Sequence, residues 1–311
     1  MRLLVTGAAG FVGGHLLRAL LADGHEVWAG SLDGTPPAGG NLDARWVALD
    51  VTSTGSVRAA VAAARPEGVF HLAGQASVGA SFEDPLGTWE VNATGTLRLV
   101  EALAPGTRLL LASSAEVYGV VPEAEQPIRE ERALRPPNPY AASKAAAETA
   151  AVQASLSGRV QAVVARSFNH TGPGQDTRFA LPSFARQLAA MRGGAGERVL
   201  RVGNLEARRD FLDVRDVVRA YVVLLEHGRA AEVYNVCSGQ AHRLRDVVDA
   251  MVGMTDAEIR VEVDPERVRP VDVPLLQGDA SRLRALGWSP RITLDETLGD
   301  LLHAEEARVA S

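Results

Sequence analysis

The chain has 311 residues, 32 Lys+Arg against 38 Asp+Glu, a formal charge of −6, 46% apolar residues and 23% charged ones. That balance excludes a disordered chain and argues against general nucleic-acid binding, so an anionic ligand must be met by a few placed cations and backbone amides. The basic residues divide into 31 arginines and one lysine, Lys144. Codon bias towards arginine is one account of that split; a position that needs a compact, titratable ammonium is the other.

Arg2 to Thr6 predicts a short apolar strand, followed by glycines and an amphipathic helix through His15 to Ala22 that Gly24 closes. Further strands are expected at Glu26 to Ala29, Arg45 to Leu49, Gly68 to Leu72, Arg108 to Ala112 and Gln161 to Arg166. Helices fall between them at Ser56 to Ala64, with Ser53 or Thr54 as N-cap, at Leu97 to Ala104 and at Tyr140 to Ala154. This alternation predicts an α/β protein with a Rossmann-type, doubly wound parallel sheet over residues 1–166. Residues 167–311 read mainly as a smaller mixed α/β lobe, with helices at Val214 to Glu226, Leu244 to Val252 and near the C-terminus. The chain is expected to recross to the large sheet around residues 210–238, and Asp33 to Leu42, rich in Gly and Pro, is the expected mobile loop. One cysteine, Cys237, cannot close an internal disulfide, which points to a reducing cytoplasm. No apolar run nears the ~18 residues of a spanning helix and no secretory pattern opens the chain, so neither a membrane nor a nucleic-acid partner is expected.

Three segments carry chemistry. Thr6-Gly7-Ala8-Ala9-Gly10-Phe11-Val12-Gly13 joins a strand to a helix, where glycines let backbone N–H groups approach a pyrophosphate. Tyr140 and Lys144 stand four apart on one helix, so phenol and ammonium share a face, and the ammonium is expected to lower the tyrosine pKa towards neutrality. Ser113-Ser114-Ala115-Glu116 follows the fifth strand, where the Ser114 hydroxyl can stabilise an oxygen that gains negative charge. Glu116 reads as a base, a hydroxyl-binding group or a structural carboxylate, while Tyr118 and His170 read as structural. No Cys/His cluster has metal-ligand spacing, and no metal is expected.

The GxxGxxG spacing and the Tyr-x-x-x-Lys pair resemble the extended branch of the short-chain dehydrogenase/reductases, NAD(P)-dependent enzymes that include epimerases and dehydratases. The resemblance covers essentially the whole chain. It implies a cofactor site at Gly7, Gly10, Phe11, Val12 and Gly13, with Asp50 and Val51 at the adenine and Leu72 and Ala73 along the ribose. It implies catalysis by Ser114, Tyr140 and Lys144, with Tyr140 and Lys144 also touching the cofactor. Ser31 occupies the usual ribose position and Asp33 falls slightly later; no arginine lies between Arg18 and Arg45 to meet a 2′-phosphate, which leans NAD(P)H use towards NAD(H).

The Gly203 to Phe211 run, GNLEARRDF, together with Val233 to Gly239 and Asn169 to Gly174, is similar to GDP-4-keto-6-deoxy-mannose reductases. That likeness implies substrate contacts from Glu116, Asn169, Asn204, Arg209, Arg269 and Asp272. It also implies reduction of a GDP-sugar C4 ketone to a GDP-6-deoxyhexose such as GDP-rhamnose, and a homodimer paired through a four-helix seam. The alternatives are a GDP-mannose 4,6-dehydratase, an NDP-sugar 4-epimerase and, in a different class, a non-catalytic nucleotide sensor. Against the dehydratase, Ala115 fills the slot between Ser114 and Glu116 and has nothing to donate to a departing hydroxyl.

Overall fold

The computed structural model describes residues 1–37, 42–193, 197–255, 258–267 and 273–309. Short apolar runs make the first six strands: β1 (Arg2–Thr6), β2 (Glu26–Ser31), β3 (Arg45–Ala48), β4 (Gly68–His71), β5 (Arg108–Ser114) and β6 (Gln161–Ser167). They are joined by α1 (Phe11–Ala22), α2 (Thr54–Ala64), α3 (Val78–Glu83), α4 (Pro85–Trp89), α5 (Gly95–Ala102) and α6 (Pro139–Leu156). Ser53 caps α2, and Asn138 caps α6 by accepting from the Ala141 N–H at 2.8 Å, with Pro139 in the first turn. α1 begins at Phe11, ahead of the expected start, and its cap is Gly10 with no side-chain acceptor. Its first-turn N–H groups are therefore left for a ligand.

Between β4 and β5 one helix was expected, and the chain forms three. Asp84 caps α4 through the Gly87 N–H at 2.8 Å, and α4 runs through a π-helical turn, Glu90–Thr94, into α5. Pro85 starts α4, where its missing N–H costs no hydrogen bond, and Gly87 lies within the single turn.

Beyond Ser167 the chain forms β7 (Asn169–Thr171), α7 (Ala180–Arg192), β8 (Val199–Val202) and β9 (Arg208–Asp213). It rejoins the large layer with α8 (Val214–His227) and β10 (Val233–Val236), then adds β11 (Ala241–Arg243), α9 (Leu244–Gly253), β12 (Arg260–Val263), β13 (Leu275–Leu276), α10 (Ser281–Arg284) and α11 (Leu294–Val309). The large sheet is parallel throughout in the order β10-β6-β5-β4-β1-β2-β3. Chain connections diverge between β1 and β4, and the crevice beyond their C-terminal ends is where such a sheet takes a ligand.

Both faces of the sheet are covered, which is why its strands are apolar on both sides. Leu16, Leu17 and Leu20 of α1 pack with Val217, Tyr221 and Leu224 of α8 over one face. Val57 and Val61 of α2, Leu99 of α5 and Ala147 and Ala151 of α6 cover the other. A third core joins α7, α9 and α11 to β8 in the smaller lobe, where β9 pairs with β7, β11 and β13. Of the loop expected to be mobile, residues 38–41 lie outside the described residues.

Candidate active site

The floor of the crevice is backbone against backbone. Gly7 has φ +68°, and a Cβ placed there would stand 2.7 Å from the Ala73 amide nitrogen; one on Gly13 would stand 2.5 Å from the Gly7 carbonyl. The first glycine thus brings the turn against the segment after β4, and the last lets α1 sit on β1. Ala73 N–H donates to Thr6 Oγ1 at 3.1 Å. Thr6 Oγ1 is 2.7 Å from His71 Nδ1, and His71 Nε2 is 3.0 Å from Thr96 Oγ1, whose own hydroxyl donates to the Asn92 carbonyl at 2.6 Å. Those roles put the imidazole proton on Nε2. Burial, aided by the charge of Lys144, pushes the His71 pKa down to about 3, so the ring is neutral.

Ser114, Tyr140 and Lys144 face this floor across a cavity of about 400 Å³ that Gly7, Gly10, Phe11, Val12, Gly13, Leu72, Glu116 and Asn169 also line. β5 delivers Ser114 at its C-terminal end, and α6 delivers Tyr140 and Lys144 from its first turns. The Glu116 N–H donates to Ser114 Oγ at 3.2 Å, and a side-chain hydrogen bond links Ser114 to the Tyr140 phenol. The lysine is buried, and its Nζ donates to the Ala112 carbonyl at 3.0 Å.

The electrostatics correct one expectation. Burial pushes the Tyr140 phenol up to about 12; the Ser114 bond opposes that rise and the Glu116 carboxylate adds to it. The ammonium expected to lower it is turned to Ala112 instead. Lys144 itself falls to about 8, because burial disfavours its charge more than Glu148, one turn along α6, restores it.

Asn92 is a support of the site that sequence reading missed. It is buried in the π-helical turn; its Oδ1 accepts from the Gln75 N–H at 2.8 Å, and its Nδ2 donates to the Gln75 carbonyl at 3.0 Å and to Ser143 Oγ at 2.9 Å. It thereby ties the loop after β4 to α6 beside Lys144.

An adjoining cavity of about 480 Å³ is lined by Asn169, Asn204 and Arg209 from the smaller lobe. It shares Asn169, His170, Gln175, Arg178 and Phe179 with the first, so the two lie side by side. Arg209 Nη1 donates to the carbonyls of Arg208 at 2.9 Å and Val273 at 2.5 Å. Asn204 Oδ1 accepts from the Glu206 N–H at 2.9 Å. His170 Nδ1 lies 3.0 Å from the Phe168 carbonyl, and its ring stacks on Phe11 at 6.3 Å. Arg269 and Asp272 lie outside the described residues. Ser31 ends β2, while Asp50 and Val51 follow β3; none of the three lines either cavity. Asp50 instead accepts from Thr52 N–H at 2.8 Å and Thr52 Oγ1 at 2.7 Å, which holds its pKa below the usual range.

The glycine cradle, the uncapped start of α1 and a buried ammonium beside a Ser–Tyr pair fit a dinucleotide lying across the switch point of the sheet. This fold and site define an NAD(P)-dependent oxidoreductase of the extended short-chain dehydrogenase/reductase type. The family model described as GDP-mannose 4,6 dehydratase matches residues 4–301, and the chain belongs to that family. It is 42% identical to the GDP-6-deoxy-D-mannose reductase of Pseudomonas aeruginosa over 99% of this chain and 98% of the relative. Among solved structures, the Pseudomonas aeruginosa protein described as RMD complexed with NADPH superposes with a TM-score of 0.87, at 38% identity and 99% coverage of both chains. The Thermus thermophilus UDP-glucose 4-epimerase complex with NAD superposes equally well, with a TM-score of 0.87, 32% identity and 100% coverage of both chains.

Proposed function

We propose that this protein reduces the C4 ketone of GDP-4-keto-6-deoxy-D-mannose to a GDP-6-deoxyhexose such as GDP-D-rhamnose. The hydride would come from NAD(P)H when it is bound. Tyr140 supplies the proton: a phenol held near 12 is fully protonated at neutral pH, the state in which it can donate to the forming alkoxide. Ser114 orients the ketone oxygen by hydrogen bonding, and Lys144 holds a compact positive charge at the floor of the cavity, in reach of ribose hydroxyls. Gly7, Gly10, Phe11, Val12 and Gly13 would hold the cofactor diphosphate, Leu72 and Ala73 its nearer ribose, and Ser31, Asp50 and Val51 its adenosine end. Glu116, Asn169, Asn204, Arg209, Arg269 and Asp272 hold the GDP-sugar. Residues 1–166, with the later recrossing around 210–238, mainly serve the cofactor, and 167–311 mainly the sugar nucleotide.

The choice of reductase over dehydratase rests on Ala115, buried at 1% exposure in the wall of the cavity between Ser114 and Glu116. It offers no donor to a leaving hydroxyl. The full-length likeness to a GDP-6-deoxy-D-mannose reductase supports the same choice. Purified protein given GDP-4-keto-6-deoxy-D-mannose with NADH or NADPH is expected to oxidise the coenzyme stoichiometrically with ketone loss. Dehydration of GDP-mannose without net coenzyme oxidation would instead assign the dehydratase reaction, with Glu116 as its base.

A second copy of the chain is the proposed partner, packed against α5 and α6. The outward side of α6 carries the small residues Ala142, Ala146 and Ala150, and Trp89 and Leu97 stay 46% exposed on the neighbouring helices. Sedimentation showing only monomer would remove this pairing. The lone buried Cys237 supports a place in the reducing cytoplasm.

A further inference from the structure

Beneath the reacting groups lies a buried ion pair that the proposed reduction does not use. Glu148 sits one turn beyond Lys144 on α6 and is 3% exposed. It accepts from Arg166 Nε at 3.0 and 3.1 Å, from Arg166 Nη2 at 2.7 Å, and from the Ser113 hydroxyl. Arg166, on β6, is committed on its other side as well: Nη1 donates to the Tyr118 hydroxyl at 3.0 Å and to the Glu130 carbonyl at 3.1 Å. The Tyr118 hydroxyl donates to Asn235 Oδ1 of β10 at 2.7 Å. One network therefore ties α6, β5, β6 and β10 together at a single level.

That level is where the site is built. Ser113, held by Glu148, stands between Ala112, whose carbonyl takes the Lys144 ammonium, and Ser114, whose hydroxyl serves Tyr140. Burying two charges is a poor route to stability, because apolar residues of similar volume commonly pack as well or better. We propose that Glu148 is a positioning residue for the Tyr140–Lys144 pair: clamped by Arg166 and Ser113, it fixes α6 against the end of β5 and supplies the buried counter-charge of the lone lysine. The proposal rests on the reading of Tyr140 and Lys144 as reacting groups.

The other titratable groups around the lysine do not supply that charge. Tyr140, on the same helix, is a neutral phenol; His71, from β4, is a neutral imidazole; Arg166, from β6, is a cation already paired. Glu116, from the turn after β5, acts on Tyr140. Glu148 is the carboxylate whose charge favours the ammonium against its burial.

Having one lysine makes the test direct. Full-length protein grown with lysine ¹³C-labelled at Cε has a single lysine signal, whose shift with pH follows the Lys144 ammonium without any turnover. Glu148→Gln is expected to lower that midpoint by about one pH unit, and the alkaline limb of kcat/KM moves down with it. Glu148→Asp, which keeps the charge, is expected to restore the midpoint. Because Glu148→Gln strands the buried Arg166 cation, Glu148→Gln/Arg166→Met is measured beside it; its midpoint still falls, by less. A midpoint unchanged in both Gln-bearing variants overturns the proposal, even if both melt at lower temperature. A midpoint that moves as expected in a protein without GDP-sugar reductase activity upholds the clamp and overturns the functional reading instead.

Discussion

The phenol of Tyr140 is hydrogen-bonded to the hydroxyl of Ser114, while the Lys144 ammonium, one turn further along α6, is committed to the Ala112 carbonyl at 3.0 Å. The proton donor and the cation are thus separately held. Ser114 is the group that opposes the burial-driven rise of the Tyr140 pKa, so in the proposed reduction it would have two duties, orienting the ketone and moderating the acid.

Tyr140→Phe removes the proton donor and leaves the cavity shape nearly unchanged. We expect kcat to fall by about 10²–10⁴-fold while NADH affinity, followed by nucleotide fluorescence, stays within about twofold of wild type. Ser114→Ala is expected to cost about 10²-fold in kcat. Ser114→Thr, which keeps the hydroxyl, should recover most of it. Equal turnover in the Phe variant and wild type would remove Tyr140 from the chemistry.

The pH dependence follows from Lys144, whose pKa lies near 8 in the folded chain against 10.5 for the free side chain. Between those values the unfolded chain binds more protons than the folded one, so this group makes stability rise with pH through that window. Activity is expected to run the other way, since the ammonium would be lost above about 8. We expect kcat/KM to fall about tenfold per pH unit beyond that point, in a range where thermal melts show no parallel loss of fold. A profile level to pH ~10 would show that the charged lysine is not required.

Lys144→Arg keeps the charge and changes its shape. A Cβ on Gly74 would lie 3.2 Å from Lys144 Nζ, so the wall is already close and a planar guanidinium has little room beside Ala112. The expected loss is at least about tenfold in kcat/KM, ~1.4 kcal/mol of transition-state stabilisation. Activity near wild type would return the lone lysine to codon bias.

The glycine turn and the Tyr140–Lys144 pair were legible because each is local: spacing within one strand–turn–helix, or one helix, sets which atoms share a face. The supports of the site were not, because their partners meet only after the strands have found their register. Thr6 and His71 are 65 residues apart, Asn92 and Ser143 are 51, and Tyr118 and Asn235 are 117. The expected pull of Lys144 on the Tyr140 pKa failed for a related reason. Spacing of four aligns two side chains at their bases, but the tip of the lysine answers to the carbonyl of Ala112, which β5 brings from 32 residues away.

We expect the choice between NADH and NADPH to be set at the end of β2. The Ser31 hydroxyl donates to Asp33 Oδ1 at 3.2 Å and to the Thr35 carbonyl at 2.9 Å, and Asp33 also accepts from the Thr35 N–H at 3.1 Å. Those bonds hold the Asp33 pKa below the ordinary carboxylate value, so it is anionic at neutral pH. Arg45, level with Trp28 at the far end of the β2–β3 ladder, is paired with Glu26 at 2.8 Å and lies 5.6 Å over the Trp28 ring. A 2′-phosphate would therefore meet a carboxylate, while ribose hydroxyls would find an acceptor. NADH is expected to give the higher kcat/KM. Asp33→Asn keeps an oxygen acceptor for the turn and removes the charge, and should raise kcat/KM with NADPH relative to NADH by about tenfold. Steady-state rates with both coenzymes measure this ratio; preference for NADPH in the unaltered chain, unmoved by the substitution, would place the discrimination elsewhere.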